Sequence, residues 1–132
     1  MVGPGVNLNV FEVVDAIADK NQRRSARMLF GRLETGVDPY YIFSMIVYQF
    51  RNLLRIKTLA KSALPYAGIV KKTGLHPYVF KKTLDQCRKF GHEELKRLFN
   101  QLARLDEDAK SGKTDMVDGL YNFVFSLSAP VS

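Results

Sequence analysis

Between nearly every pair of Gly or Pro breaks, apolar residues recur every three to four positions, and no alternating run of β-branched residues is long enough for a strand. The pattern predicts an all-α chain, a single helical bundle of about six or seven helices. Asn9 and Glu12 have the spacing of reciprocal capping residues. The first helix is therefore expected from Asn9 to about Lys20, with Val10, Val13, Val14 and Ile17 inward, after a loose lead-in through Gly3-Pro4-Gly5. The second, from Gln22 to Glu34, aligns Ala26, Leu29, Phe30 and Leu33 on one face and Arg23 and Arg27 on another, and Gly36 ends it.

Asp38-Pro39 starts a third helix, because the carboxylate accepts an orphan N–H and proline suits the first helical position. That helix should reach about Lys61. From Tyr40 to Phe50 it is apolar nearly all round, as expected of a helix that neighbours cover on several faces. Beyond Arg51 a polar face returns and should border solvent. Pro65 to Thr73, closed by Gly74, and a helix from Leu75-His76-Pro77 to about Lys89 form a tight corner. Between Glu93 and Lys110, Leu95, Leu98, Phe99, Leu102, Leu105 and Ala109 make an inward stripe. The two glutamates and the lysine stand at the ends that the helix dipole favours. A last helix covers about Asp115 to Leu127. The predicted domain is 9–128, with 1–8 as a lead-in and 129–132 as a tail.

Composition adds little to this picture, but charge changes it. The 132 residues are 46% hydrophobic and 25% charged, as in ordinary globular domains. The apolar stretch Tyr40–Tyr48 falls well short of the ~20 residues a bilayer requires, and the N-terminus has no signal-peptide pattern, so a cytoplasmic protein without membrane contact is expected. The net charge of +7 is concentrated: residues 51–98 hold 12 Lys or Arg against 3 Asp or Glu, and the rest holds 8 against 10. Such a block attracts nucleic acid or acidic partners, although solvated helix surfaces carry the same residues. Lys71, Lys72, Lys81, Lys82, Arg51 and Arg55 are the candidate contacts to phosphates or to an acidic partner.

Chemistry-bearing motifs are absent. No glycine-rich phosphate loop occurs, since Gly3-Pro4-Gly5 lacks the spacing and the lysine. Cys87 is the single cysteine, so no internal disulfide forms. With two distant histidines it makes no zinc pattern, and its spacing from Phe80 and Leu84 marks a small core residue. His76 reads as a helix-start residue and His92 as a surface residue. No catalytic, cofactor-binding or metal-binding residue is expected. Ile69-Val70, Gly74-Leu75 and Phe80 reproduce the spacing of a helix-turn-helix, with Tyr78, Lys81, Lys82 and Asp85 as its reading face; the same spacing packs any two helices across a short turn.

The same corner carries a family resemblance. Leu75-His76-Pro77-Tyr78-Val79-Phe80-Lys81-Lys82 resembles the L-H-P-[FY]-x-x-K-K segment of bacterial DNA polymerase III delta (clamp-loader) subunits. Gln49-Phe50-Arg51-Asn52-Leu53-Leu54-Arg55-Ile56-Lys57 is similar to that family's Q-F-R-x-L-L-x-x-K run. Asn9-Val10-Phe11-Glu12-Val13-Val14-Asp15-Ala16-Ile17 resembles the opening of its third domain, and Glu93-Glu94-Leu95 and Leu105 to Gly112 continue in order. The resemblance implies a helical collar domain that joins equivalent domains of the other loader subunits in a ring-shaped pentamer, without ATPase activity. Contacts that open the sliding clamp would belong to an N-terminal domain, two domains being expected upstream. DNA contact, if any, would be non-specific. Within the last helix, Met116, Leu120, Tyr121, Phe123, Val124 and Phe125 are spread too widely to face one core. Tyr121, Phe123 and Phe125, with Arg23 and Arg27, are therefore the candidate subunit interface. Lacking a phosphate cradle, the purified chain should show no ATP binding in a calorimetric titration at micromolar concentration; a stoichiometric heat of binding would refute the reading.

Overall fold

The structure is a computed structural model that describes residues 4–127, with the side chains of residues 4–10 excepted. Seven helices follow one another: α1 (Pro4–Ala18), α2 (Gln22–Glu34), α3 (Pro39–Leu59), α4 (Tyr66–Thr73), α5 (Pro77–Cys87), α6 (His92–Lys110) and α7 (Met116–Phe125). Among the described residues there is no strand. The residues expected as the extreme lead-in, Met1 to Gly3, and the tail 129–132 lie outside the described residues.

Local chemistry sets most helix ends. Asp38 accepts from the Tyr40 N–H at 2.9 Å, with Pro39 in the first turn of α3. Asp115 accepts from the Val117 and Asp118 N–H groups, and His76 Nδ1 accepts from the Tyr78 N–H at 3.1 Å. Gly36 and Gly74 take positive φ angles of 89° and 70°, where a Cβ is strained. One start differs from expectation: α1 begins at Pro4, so Asn9 lies inside the helix instead of capping it. Proline fits a first helical position and nothing between Val6 and Leu8 breaks a helix. The side chain of Val10 lies outside the described ones.

Long, apolar and central, α3 packs against α1, α4, α5, α6 and α7. Phe50, fully buried at its middle, meets Phe90 edge-on at 5.7 Å and Phe123 at 5.4 Å between ring centroids. Each such pair adds about 0.5–1.5 kcal/mol to the burial of its rings. The stripe Leu95, Leu98, Leu102 and Leu105 on α6 is buried as its spacing requires. Cys87 is buried too, and burial pushes its thiol pKa up, which keeps it protonated and unreactive at neutral pH. Phe30 departs from the expected inward face of α2: it is 59% exposed. The helix turns Ser25 and Leu29 to the core, and Phe30 follows Leu29 by roughly 100° of rotation.

The α1–α2 corner carries an unusual lysine. Lys20 has φ of 61° and closes α1 as a Schellman turn, with Asn21 N–H on Ala16 O and Lys20 N–H on Ile17 O, both at 3.0 Å. Its side chain is wholly buried. The ammonium lies 4.7 Å from the Phe90 ring centroid and 2.8 Å from Glu94 Oε2, an ion pair off the line of a hydrogen bond. The other oxygen of Glu94 accepts from the Gly91 N–H at 3.1 Å, at the start of α6.

These contacts make two stability predictions. Removing one partner of a buried pair strands the other charge, so Lys20→Met or Glu94→Gln should each cost about 3–5 kcal/mol in urea unfolding. The double variant should lose much less than the two together, whereas additive losses would show that the groups are uncoupled. Two helical glycines should respond oppositely to alanine. A Cβ on Gly119 would stand 2.1 Å from Leu105 Cδ1, while Gly31 has nothing within 4 Å. Gly31→Ala should stabilise by about 0.5–1 kcal/mol. Gly119→Ala should destabilise, because overpacking costs about 1–3 kcal/mol.

Candidate functional site

The basic block divides once its side chains are placed. Lys82 pairs with Asp15 of α1, and the hydrogen bond that it donates to that carboxylate raises the lysine pKa. Lys89 meets Asp19, just past the end of α1, at 3.2 Å, and Gln86 links Asp15 Oδ1 to Gln49 of α3. Arg55 donates to the Lys72 carbonyl at 2.6 Å and Lys57 to the Cys87 carbonyl at 3.3 Å, so two cations of α3 satisfy the C-terminal turns of α4 and α5. Of the six candidate contacts, Lys82 and Arg55 are therefore engaged within the fold. Lys71, Lys72, Lys81 and Arg51 are exposed and have no side-chain partner among the described residues.

At the α4–α5 corner the proposed reading face is broken up. Tyr78 is 73% exposed and Lys81 is free, but Lys82 is held by Asp15 and Asp85 pairs with Arg88 at 2.8 Å. His76 caps α5, and His92 lies 3.2 Å from Thr58 Oγ1 and 3.1 Å from Lys61 Nζ. No group of three or more His, Cys, Asp or Glu side chains able to hold a metal ion occurs among the described residues.

Helices α2 and α7 build a second surface. Tyr121 and Phe125, one turn apart on α7, stack with centroids 6.3 Å apart and planes at 22°, and Phe125 is 60% exposed. Phe123, expected at the same surface, is 1% exposed and packs on Phe50, which removes it from the candidate interface. The reason is helical phase: Met116, Leu120, Phe123 and Val124 form the buried stripe, and Tyr121 and Phe125 fall outside it. On α2, Arg23, Arg27, Phe30 and Glu34 are all exposed and follow at intervals of four, three and four residues, which is one helical face. Burial first, and then the charge of the Glu34 carboxylate, push the Tyr121 pKa up. Gln22 Nε2 donates to the carbonyls of Val124, Phe125 and Leu127 at 3.3, 3.0 and 3.1 Å and so satisfies the end of α7. Phe30 was expected on the inward face and Glu34 was not singled out, though their spacing from Arg23 and Arg27 places both on the exposed face.

Comparison with known proteins gives the family of the fold that carries both surfaces. The family model for the DNA polymerase III delta subunit, C-terminal domain, matches residues 7–127. DNA polymerase III subunit delta of Bacillus subtilis is 30% identical over 115 residues, 87% of this chain and 33% of that protein. A solved structure of the Bacillus subtilis DNA clamp loader delta protein superposes with a TM-score of 0.80 at 30% identity, covering 96% of this chain and 38% of that one. The chain thus spans about a third of the length of these relatives. The helix-turn-helix alternative is not favoured. An all-helical fold, a family match over almost the whole length and a superposition of this extent agree, and the chain belongs to the DNA polymerase III delta subunit family as its C-terminal domain.

Proposed function

We propose that this domain is the non-catalytic collar segment of a delta subunit, which holds the subunit in a clamp loader through the other loader subunits during cytoplasmic DNA replication. The observation that carries the reading is the exposed α2–α7 surface. A stacked Tyr121–Phe125 pair beside an arginine stripe has the composition of an interface centre, where aromatic residues and arginine supply most binding energy. The family match supports it. So does the absence, among the described residues, of a helix long and apolar enough to cross a membrane.

On this reading, the domain is residues 9–128, and contacts that open the sliding clamp belong to sequence outside the 132 residues. Lys71, Lys72 and Lys81 are left for DNA phosphates, which they would contact without reading bases. Phe125→Ala, Tyr121→Ala and Arg27→Ala, made singly, should leave circular dichroism unchanged. Arg27→Ala should keep stability within about 0.5 kcal/mol. Each aromatic variant should lose about 0.5–1.5 kcal/mol with the stacked pair, Tyr121→Ala somewhat more for its partial burial. At least one should weaken binding to a purified loader subunit by about tenfold in calorimetry. Phe123→Ala should instead lose about 3–5 kcal/mol of stability as a core truncation. If all three surface variants fold and bind as wild type does, the surface is misassigned.

A further inference from the structure

A groove of about 560 Å³ runs between α3 and α6. Phe43 and Leu102 form its floor, and Tyr40 and Val47 on one side face Phe99 and Ala103 on the other. Ser44 and Ala103, both small and exposed, keep it open. On α3, Tyr40, Ser44, Val47 and Arg51 follow one helical face, so the guanidinium of Arg51 stands at one end of the apolar trough.

The charges of the groove are unequal. Asp106, also in its lining, is bound by Lys110 at 3.0 Å, whereas Arg51 has no partner among the described residues. The next cation along α3, Arg55, is turned to the Lys72 carbonyl. One unneutralised positive charge therefore sits beside an apolar trough. A complementary occupant presents apolar side chains along one face and a carboxylate at the Arg51 end, an arrangement that an amphipathic helix supplies.

The position of the groove separates it from the aromatic surface. On α6, Gln101 and Leu105 face α7, through Ser126 and Gly119. Phe99 and Ala103 each lie two residues away from one of these, roughly 200° around the helix. The groove thus opens on the flank of α6 opposite α7.

We infer that the α3–α6 groove is a second docking surface, which receives an amphipathic helix of another clamp-loader subunit with a carboxylate on Arg51. The identity of the partner rests on the assembly reading above; the groove, its free charge and its opposite placement do not. A domain with contact surfaces on two flanks joins two different neighbours, so each surface should control one of them.

The test uses the 132-residue chain and each of the other loader subunits of the same organism, purified and titrated singly. Arg51→Glu and Ala103→Glu, both on exposed helical positions, should weaken one subunit's binding by about tenfold or more. Phe125→Ala should spare that subunit and weaken a different one. Arg51→Lys should retain most of the affinity and Arg51→Gln should lose it, a difference that a purely structural role does not produce. Circular dichroism identifies any variant that has unfolded, and Arg51→Gln is the milder replacement should Arg51→Glu do so. Groove variants that fold and bind every subunit within about twofold of wild type overturn the groove while leaving the assembly reading intact. Loss of the same subunit from both surfaces overturns the second neighbour. Failure of the wild-type chain to bind any subunit overturns the assembly reading and this inference with it.

Discussion

Phe90 occupies the short link between α5 and α6, in a T-shaped contact with Phe50 of α3 and with the ammonium of Lys20 over its ring. A buried cation is costly unless it is paired, and here Glu94 supplies the charge from the first turn of α6. Three parts of the chain are fixed by this arrangement: the end of α1, the middle of α3 and the start of α6. The left-handed backbone of Lys20, unfavourable for a residue with a Cβ, is held because the side chain ends in that site. Asn21 then caps α2 with a 3.0 Å bond to the Arg24 N–H, and Gln22 reaches α7. Three consecutive residues thereby set the placement of most of the bundle.

The number and order of the helices were legible because their signals are local. Asp38-Pro39, Gly74 and Asp115 act on backbone groups within three residues of themselves, and the leucines of α6 repeat at the helix's own period. Contacts that join distant residues left no such trace. Lys20 read as an ordinary helix end, since nothing near it announces Glu94 or Phe90. Gly119 stands alone in an apolar helix, a pattern that often marks close packing, yet the Leu105 it admits lies on another helix. For the candidate surfaces, composition located aromatic and basic residues, but only helical phase distinguished Phe123 in the core from Phe125 outside it.

A basic block is usually taken as one surface, and here it serves two purposes. Lys82 meets Asp15 on α1 and Lys89 meets Asp19 just past its end, while Arg55 and Lys57 end two helices. These contacts orient α4 and α5 about α3. What remains free within the block is Lys71, Lys72 and Lys81 at one corner, Arg51 beside the α3–α6 groove and Arg97 on α6, so the cations it offers to partners are fewer than its 12 Lys and Arg suggest.

The hydrogen bonds from Gln22 to the end of α7 span 102 to 105 residues. They join the arginine-bearing helix to the aromatic one across almost the entire domain. On a ribosome, α2 emerges long before α7, and its exposed stripe remains half a surface until the last turn of the domain has left the exit tunnel. The complete surface therefore exists only when both ends of the domain have folded together: a chain lacking residues 116–127 keeps the arginine stripe of α2 but has neither Tyr121 nor Phe125 beside it.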